Sequence, residues 1–439
     1  MDKKVVSIVR YEKPLDSVRR AVELCDGLDR LPGRARVFIK PNIVFWCRAP
    51  FPKWGVITTS RVIEDLVILL KERGVDDIVI GEGMVLRNYK DTASPADAFE
   101  KLGYNKLRDR YGVKSYNTHV RPFAGTDLGG GVTLNFNQDI LESDFVVNLP
   151  VLKTHAQTTT SLGIKNLKGM IDVESRKKCH SPDLEKDLDY MVARLADKIP
   201  PSLTLIDGIY SLERGPSFDG RPRRTNLLVG SADVLSADLV GTRLLGHDPS
   251  RVRYLALAAR ERDRPLDLSD IDLRGENLEE ATSYHEPFFP YNEAGTLPLA
   301  MEKSGLKGLY YQKYDNSLCT YCSGVNWVIL ASIFQAWKGR PWDEIEVLTG
   351  KRMKPTPGRK KTILLGKCMC DLNQDDPNIQ ELITVKGCPP PPQLIVKALR
   401  KAGLEVDAGL FENLDEAPGF FMKKYASKPE FEESFFQVE

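Results

Sequence analysis

The sequence predicts an α/β protein with a large Rossmann-like domain, built on a mainly parallel sheet, and a smaller C-terminal α/β domain. Over the first 290 residues, apolar strand-like runs alternate with amphipathic helical stretches, an order typical of a parallel sheet covered by helices. Five of the eight cysteines lie in the last 121 residues. A chain of 439 residues is also long for one compact core. We therefore expect two domains of different character.

The elements of the first domain follow from hydrophobic periodicity. The first βαβ stretch consists of strands at residues 5–11, 36–41 and 77–80 and helices at 15–28 and 60–73. Later strands are predicted at residues 145–149, 203–206 and 227–229, and later helices at 183–198, 235–245 and 250–260. The glycines at 129–131 precede an apolar run and predict a hairpin turn.

The alternating pattern ends between residues 275 and 314, where aromatic and proline-containing segments take over. We place the boundary there, with domains at residues 1–290 and 310–439. The second domain contains the clustered cysteines, two or three strands and a helix at 394–403.

Composition limits the classes of partner. The net charge of +1 indicates no general attraction to nucleic acid or membranes, and the basic run at residues 351–361 is interpreted as a solvated linker. No apolar stretch reaches 18 residues, and the amino terminus does not resemble a signal peptide. We expect a cytoplasmic protein that binds neither nucleic acid nor membrane. The oligomeric state stays open.

The C-terminal cysteines favour a [4Fe-4S] cluster. Cys319 and Cys322 form a C-x-x-C pair, and Cys388 precedes a proline. The fourth thiolate is Cys368, with Cys370 as its alternative; both follow a predicted strand and would point to the same side unless the chain bends. Four thiolates saturate one cubane.

Two other interpretations of these cysteines remain. Zinc ribbons usually carry two C-x-x-C pairs, whereas the second pair here is C-x-C, so zinc is the main competitor and absence of metal the next. Elsewhere, plain burial is favoured for Cys25 and Cys47, and a structural role for Cys179 with His180.

Polar residues at predicted strand ends indicate a second site. Lys40 and Asn42 follow an apolar strand, where open α/β sheets place ligand-binding groups. Lys153 and His155 follow the strand at 145–149. We expect the lysines to bind a carboxylate or phosphate and His155 to transfer a proton, the alternative being solvated lysines and a structural histidine.

Two further segments extend this site. Lys165, Asn166 and Lys168 lie between Gly163 and Gly169 and are further candidates for substrate binding. Asp207 ends the strand at 203–206 and is a candidate general base, with a turn-capping role as the alternative.

Several segments together resemble the family numbered 362 in the domain-of-unknown-function series, some of whose members are iron–sulfur proteins. They are residues 38–42 (Phe-Ile-Lys-Pro-Asn), 55–59 (Gly-Val-Ile-Thr-Thr), 148–155 (Asn-Leu-Pro-Val-Leu-Lys-Thr-His), 163–169 (Gly-Ile-Lys-Asn-Leu-Lys-Gly) and 206–208 (Ile-Asp-Gly). The resemblance covers roughly residues 35–270, and the C-terminal cysteines are similar to those of longer members that carry a cluster. It implies a cytoplasmic iron–sulfur protein of anaerobic metabolism but no particular reaction.

The preferred hypothesis is an enzyme, an iron–sulfur-dependent oxidoreductase or lyase. A small anionic substrate would bind in the cleft between the domains, with the cluster acting as Lewis acid or electron donor. The first alternative is a non-catalytic electron-transfer or cluster-handling protein whose lysines dock a redox partner. The second is a structural-zinc protein.

Overall fold

The computed structural model describes residues 3–86 and 90–439 and contains two compact units. Unit 1 comprises Met1–Ser175, Asp189–Phe288 and Pro418–Glu439, and unit 2 comprises Arg176–Leu188 and Phe289–Ala417. The observed change of unit after Phe288 lies close to the predicted boundary near residue 290. The units are not contiguous in sequence, however, since the C-terminal segment belongs to unit 1 and an internal segment belongs to unit 2.

The strands of unit 1 form a large sheet and a separate hairpin. They are β1 (Lys4–Arg10), β2 (Arg36–Lys40), β3 (Asp77–Glu82), β4 (Lys114–Asn117), β5 (Phe123–Asp127), β6 (Thr133–Asn137), β7 (Phe145–Asn148), β8 (Val151–His155), β9 (Thr159–Thr160), β10 (Ser202–Glu213), β11 (Arg221–Ser231) and β12 (Ile271–Gly275). The large sheet has the order β12-β1-β11-β10-β7-β2-β3-β4, with β8 pairing with β10 and β9. From β10 to β4 all neighbours are parallel, which confirms the predicted α/β class.

The hairpin formed by β5 and β6 occupies the predicted position. The two strands are antiparallel, and the three glycines between them all have positive φ angles, between 59° and 77°. Such angles suit glycine because other residues would place a Cβ against the backbone.

The first 290 residues also form helices. They are α1 (Asp16–Leu24), α2 (Ser60–Glu72), α3 (Ala93–Lys101), α4 (Tyr104–Tyr111), α5 (Gln138–Leu141), α6 (Gly163–Asn166), α7 (Val173–Cys179), α8 (Leu188–Ala193), α9 (Val234–Leu244), α10 (Arg253–Glu261) and α11 (Leu278–Ala281). Helix α2 buries Val62, Ile63, Leu66, Leu69 and Leu70, the apolar residues that predicted it.

The predicted helix at residues 183–198 is much shorter in the structure. Only α8 forms within it, because the Asp183 side chain accepts hydrogen bonds from the amides of Glu185 and Lys186. Such a local side-chain bond offers the backbone an alternative to the helix.

Unit 2 is built on a small, wholly parallel sheet. Its strands are β13 (Leu309–Tyr311), β14 (Ile345–Leu348), β15 (Lys361–Leu365) and β16 (Glu381–Val385), in sequential order. The remaining helices are α12 (Leu299–Lys303), α13 (Thr320–Ala336), α14 (Lys367–Asn373), α15 (Pro392–Ala402), α16 (Gly409–Glu412) and α17 (Ala417–Met422). Buried side chains of α13 and α15, among them Ile329, Ile395 and Leu399, form the core with the strands. No helix in residues 3–86 and 90–439 is both long and apolar enough to cross a membrane.

The large sheet of unit 1 contains a switch in strand order at β2. The chain continues from β2 to β3 and β4 on one side and later adds β7 on the other. Lys40, the last residue of β2, is the register partner of Asn148, the last residue of β7. A switch point opens a crevice at the carboxyl ends of the strands, so this edge is the expected ligand site.

The C-terminal segment of unit 1 packs on the large sheet through aromatic rings. The ring of Tyr210 on β10 stacks on Phe431 and Phe436, with centroids 5.8 and 6.2 Å apart. The Tyr210 hydroxyl accepts a hydrogen bond from the amide of Glu432 (2.9 Å), and the Trp54 indole donates one to the Glu432 carbonyl (3.1 Å). The segment is therefore part of the unit 1 core.

Phe436→Ala should lower the free energy of unfolding of unit 1 by about 3–5 kcal/mol, because it removes a fully buried ring. Phe420→Ala is the matched control, since that side chain is 77% exposed and its loss should change stability by less than about 0.5 kcal/mol. Urea unfolding followed by tryptophan fluorescence measures both, and equal effects would contradict this packing.

Candidate functional site

A buried ion pair lies at the switch point of unit 1. The ammonium of Lys40, at the end of β2, lies 3.0 Å from Oε2 of Glu82, at the end of β3, and both side chains are almost wholly buried. Lys40 also donates to the carbonyl of Pro41 (2.6 Å) and to Oδ1 of Asn166 (3.3 Å). The lysine and the carboxylate therefore satisfy each other away from water.

Gly169 closes over this pair. A Cβ added at Gly169 would lie 2.5 Å from Oε1 of Glu82 and 2.7 Å from Cε of Lys40. Any larger residue would push the pair apart. Glycine is therefore required at position 169, because the backbone there passes close to a buried charge pair.

A chain of amides connects the pair to neighbouring strands. Asn42 donates to Oδ1 of Asn166 (2.9 Å), and Asn166 donates to Oδ1 of Asn148 (2.8 Å). Asn148 in turn donates to the carbonyl of Gly163 (2.9 Å). These side chains hold the loops after β2 and β7 in one arrangement.

Lys153 on β8 joins the same network from the other side. Its ammonium donates to Oδ1 of Asn42 (2.5 Å) and to the carbonyls of Val56 (2.9 Å) and Pro216 (3.4 Å). Burial lowers the pKa of Lys153 to about 7; Glu82 opposes this shift and Lys40 adds to it. The ammonium groups of Lys40 and Lys153 are thus bound by protein oxygens, and direct contact with a ligand would require exchange of these bonds.

Lys165 and Lys168 differ from these two lysines because their side chains are only partly buried. The Lys165 ammonium has no hydrogen-bond or ion-pair partner within the described residues. Desolvation lowers the pKa of Lys165 well below its usual value, and repulsion by Lys168 and Lys153 adds to the shift, whereas Asp189 opposes it. A ligand anion would relieve this repulsion.

The short helix α6 that carries Lys165 is anchored by a buried carboxylate. Asp238 accepts hydrogen bonds from the amides of Gly163 (2.6 Å) and Ile164 (3.0 Å). Burial raises the pKa of Asp238 to about 7, although these amide bonds oppose the shift. Asp238 therefore fixes the backbone directly before Lys165.

Asp207, the candidate general base, lies in the interior of β10 with both carboxylate oxygens bound. One accepts from the amide of Thr59 at the start of α2 (2.7 Å), and the other accepts from the amide of Ile209 (3.1 Å). Burial raises the pKa of Asp207 while these amides lower it. The contacts match the capping alternative, and a role as general base stays a prediction.

His155, the other catalytic candidate, ends β8 and is buried. Its Nδ1 accepts a hydrogen bond from the amide of Gln157 (3.1 Å), so in the neutral ring the proton is on Nε2. His155 is therefore oriented by a backbone bond, and proton transfer by it stays a prediction.

In unit 2, the carboxyl edge of the parallel sheet brings together thiols from the segments that follow three of its strands. Cys319 and Cys322 follow β13, Cys368 follows β15 and Cys388 follows β16. The amide of Lys367 donates to the carbonyl of Gly387 (2.9 Å), which joins the start of the helix that carries Cys368 to the loop that carries Cys388. A Cβ at Gly366 would lie 3.6 Å from Sγ of Cys322, so the first loop reaches the same place.

The thiols change one another's pKa values through hydrogen bonds and electrostatic interactions. A hydrogen bond from the Cys322 thiol lowers the pKa of Cys319, and backbone amides at the start of α13 and the charge of Lys351 act in the same direction. The pKa of Cys322 is raised by that same hydrogen bond, by burial and by the nearby Cys319, Cys388 and Cys368. Burial also raises the pKa of Cys368, and Lys351 opposes the shift.

The chain bends after β15, the condition under which Cys368 and Cys370 were expected to separate. Helix α14 begins at Lys367, directly after Gly366, and residues two apart on a helix point about 200° apart. Cys370 consequently turns into an apolar cluster with Leu364 and Met369, and its thiol donates to the Leu364 carbonyl (3.5 Å). Cys368 stays exposed beside the other three thiols.

The thiols are close but do not converge on one point. Within residues 3–86 and 90–439, no three His, Cys, Asp or Glu side chains are arranged to hold a metal ion. A single zinc ion needs its ligands about 2.0–2.3 Å from one centre. A cubane instead takes one thiolate at each of four iron atoms, so its ligands need not meet at a single centre.

The structure thus defines an α/β protein with a buried lysine–carboxylate network at a sheet switch point and a separate set of thiols. The family described as Domain of unknown function (DUF362) matches residues 37–243. The thylakoid-associated protein sll1697 of Synechocystis sp. is 30% identical over 269 residues, which cover 59% of this chain and 79% of that protein. The chain belongs to the DUF362 family.

The match to the family includes the network of unit 1 but ends before the thiols of unit 2, since all four cysteines lie beyond residue 243. Among solved structures, the lactate racemase apoprotein from Thermoanaerobacterium thermosaccharolyticum is 15% identical, with a TM-score of 0.33. That comparison covers 56% of this chain and 57% of the racemase chain.

Glu82, Asn148 and Lys351 were missed as site residues by the sequence reasoning. Glu82 and Asn148 each end an apolar strand, the same signal that identified Lys40. Lys351 was interpreted as part of a solvated linker, but its ammonium donates to the carbonyls of Lys177 (3.0 Å) and His180. The order of β14 and β15 in the sheet, rather than any local pattern, brings it to the thiols.

The stability of the protein should depend on the protonation of Lys153. Its folded-state pKa, about 7, lies below its ordinary value of 10.5, so between these pH values the unfolded chain binds more protons. The contribution of Lys153 to the free energy of unfolding should therefore rise with pH, by up to about 1.4 kcal/mol per pH unit, and be constant below pH 7.

Urea unfolding at several pH values between about 7 and about 9 tests this dependence. Lys153→Met should remove that part of the slope, whereas the control Lys4→Met, at an exposed lysine, should keep it. Identical slopes in both variants and the parent protein would contradict the assignment.

Proposed function

We propose that this protein is an iron–sulfur enzyme that acts on a small carboxylate or phosphate, with a [4Fe-4S] cluster held by Cys319, Cys322, Cys368 and Cys388. The observation that carries the proposal is that the segments following three strands of unit 2 bring these four cysteines to one edge of the sheet. When bound, such a cluster supplies single electrons. The predicted cytoplasmic location is retained as part of the proposal.

Four thiolate ligands favour a cluster that donates electrons over a cluster that acts as a Lewis acid. Four thiolates saturate the four irons of a cubane, and a substrate-binding iron would need one of them to be absent. The positive charge of Lys351 acts on Cys319 and Cys368 and would partly offset the negative charge of four thiolates. The chain's own residues therefore favour an oxidoreductase over a lyase.

The anion is proposed to bind at Lys165 and Lys168. Both side chains are partly exposed, whereas Lys40, Asn42, Lys153 and Asn166 form the buried network behind them. In this arrangement the buried residues fix the position of α6, and the two outer lysines contact the ligand. His155 is the candidate for proton transfer because its ring is oriented and buried.

A non-catalytic electron-transfer protein is the second candidate. Cys368 and Cys388 are both exposed, which suits a cluster near a surface that meets a redox partner. Saturation by four thiolates fits this role equally well. A structural zinc is less well supported, because the thiols do not converge on a single point.

Protein purified without oxygen should carry about four iron and about four acid-labile sulfide per chain. Cys319→Ser, Cys322→Ser, Cys368→Ser and Cys388→Ser should each reduce this content strongly because each removes a ligand. Cys370→Ala is the matched control, since Cys370 lies two residues from Cys368 but packs in an apolar cluster, and it should retain the iron. Stoichiometric zinc without sulfide would exclude the cluster.

Calorimetric titration with oxalate and with inorganic phosphate tests the anion site. Lys168→Met should weaken binding of the preferred anion about tenfold or more, because a charge-assisted contact contributes about 1.5–3 kcal/mol. Lys4→Met should leave the affinity unchanged. Equal affinities of the parent protein and Lys168→Met, or no binding of either anion, would contradict this site.

A further inference from the structure

The amine of Lys165 has three properties that no other lysine of the network combines. Its side chain is partly exposed, and its nitrogen has no hydrogen-bond or ion-pair partner in the part of the chain that the structure describes. It also lies beside the buried network rather than within it. By contrast, three protein oxygens surround the nitrogen of Lys153, and the Glu82 carboxylate binds that of Lys40.

The surroundings of Lys165 favour a neutral amine. Desolvation and the positive charges of Lys168 and Lys153 lower its pKa well below the usual value. A lysine in its neutral form has a lone pair available for attack on a carbonyl group. Positive neighbours are a known means of activating a lysine for this chemistry.

The backbone on both sides of Lys165 is fixed. On one side, Asp238 binds the amides of Gly163 and Ile164. On the other, the Asn166 side chain donates to Oδ1 of Asn148 (2.8 Å) and to the Lys40 carbonyl (3.2 Å). A reactive group is held most accurately when the backbone beside it is bonded in this way.

We propose that Lys165 is a nucleophile that forms a Schiff base with a small oxo acid whose carboxylate is bound beside Lys168. This inference rests on the proposed anion site and narrows its ligand to a carboxylate next to an aldehyde or ketone. The Lys165 nitrogen forms a bond to the carbonyl carbon, and the carbonyl oxygen leaves as water with both amine protons. The resulting imine is reversible and needs no oxidant or reductant.

Asp189 is suited to assist the proton transfers. Its charge acts on Lys165 and opposes the lowering of the lysine pKa. The carboxylate is buried near the start of α8, in the same unit as Lys165. A carboxyl group beside the amine can take a proton from the attacking nitrogen and return it to the leaving oxygen.

Trapping with glyoxylate and sodium borohydride tests the proposal on the full-length protein. Reduction of the imine would leave a carboxymethyl group on the lysine, which peptide mass spectrometry locates. We expect modification at Lys165 at least tenfold faster than at the exposed Lys401, and oxalate should slow it because oxalate competes for the carboxylate site without forming an imine. Lys165→Arg should abolish the adduct at this position.

The outcomes separate this inference from the proposed function. Modification of Lys165 at a rate no higher than that of Lys401 would overturn the Schiff base. If oxalate still binds to the same preparation, the proposed anion site is retained. Absence of oxalate binding together with slow modification of Lys165 would contradict both the anion site and the Schiff base. Rapid modification of Lys165 that oxalate does not slow would also contradict the proposal, because the carboxylate would not be bound at this site.

Discussion

The site of unit 1 depends on the buried ion pair between Lys40 and Glu82. Neither charge is tolerable alone in this position, since removal of one partner from a buried pair typically costs about 3–5 kcal/mol. Glu82 also accepts a hydrogen bond from the amide of Ile43 (2.9 Å), so it joins β3 to the loop after β2. Gly169 is needed because the backbone passes directly over the pair. The Lys40–Glu82 pair thus determines where β3, the loop after β2 and the segment at Gly169 meet.

The balance of charge around this pair explains the behaviour of the other lysines. Glu82 is bonded to Lys40, and its negative charge only partly offsets the desolvation of Lys153. Lys165 experiences the positive charges of both Lys153 and Lys168, with Asp189 opposing them. Repulsion between positive charges in a poorly solvated region can be reduced in two ways: an amine loses its proton, or an anion binds. The same arrangement therefore supports both a nucleophilic lysine and an anion site.

Much of this arrangement could be predicted from the sequence because it depends on strand ends. An apolar run followed by a polar residue indicates the carboxyl end of a buried strand, and Lys40 and Lys153 were identified in this way. The bonding partners of these residues could not be predicted, because the neighbours of β2 are set by the order of strands in the sheet. The placement of the C-terminal segment in unit 1 was likewise missed, since it rests on ring packing against Tyr210 between residues far apart in sequence.

The cysteines of unit 2 illustrate how a local change in backbone decides which side chain is available as a ligand of the proposed cluster. Spacing alone left Cys368 and Cys370 equivalent, because an extended chain would present both on one face. Gly366, with a φ of 92°, instead ends β15 and allows α14 to begin at once. The helix turns Cys370 into the apolar cluster and leaves Cys368 at the sheet edge with Cys388. Since glycine alone adopts this φ without strain, the residue that decides between the two cysteines contributes no ligand atom itself.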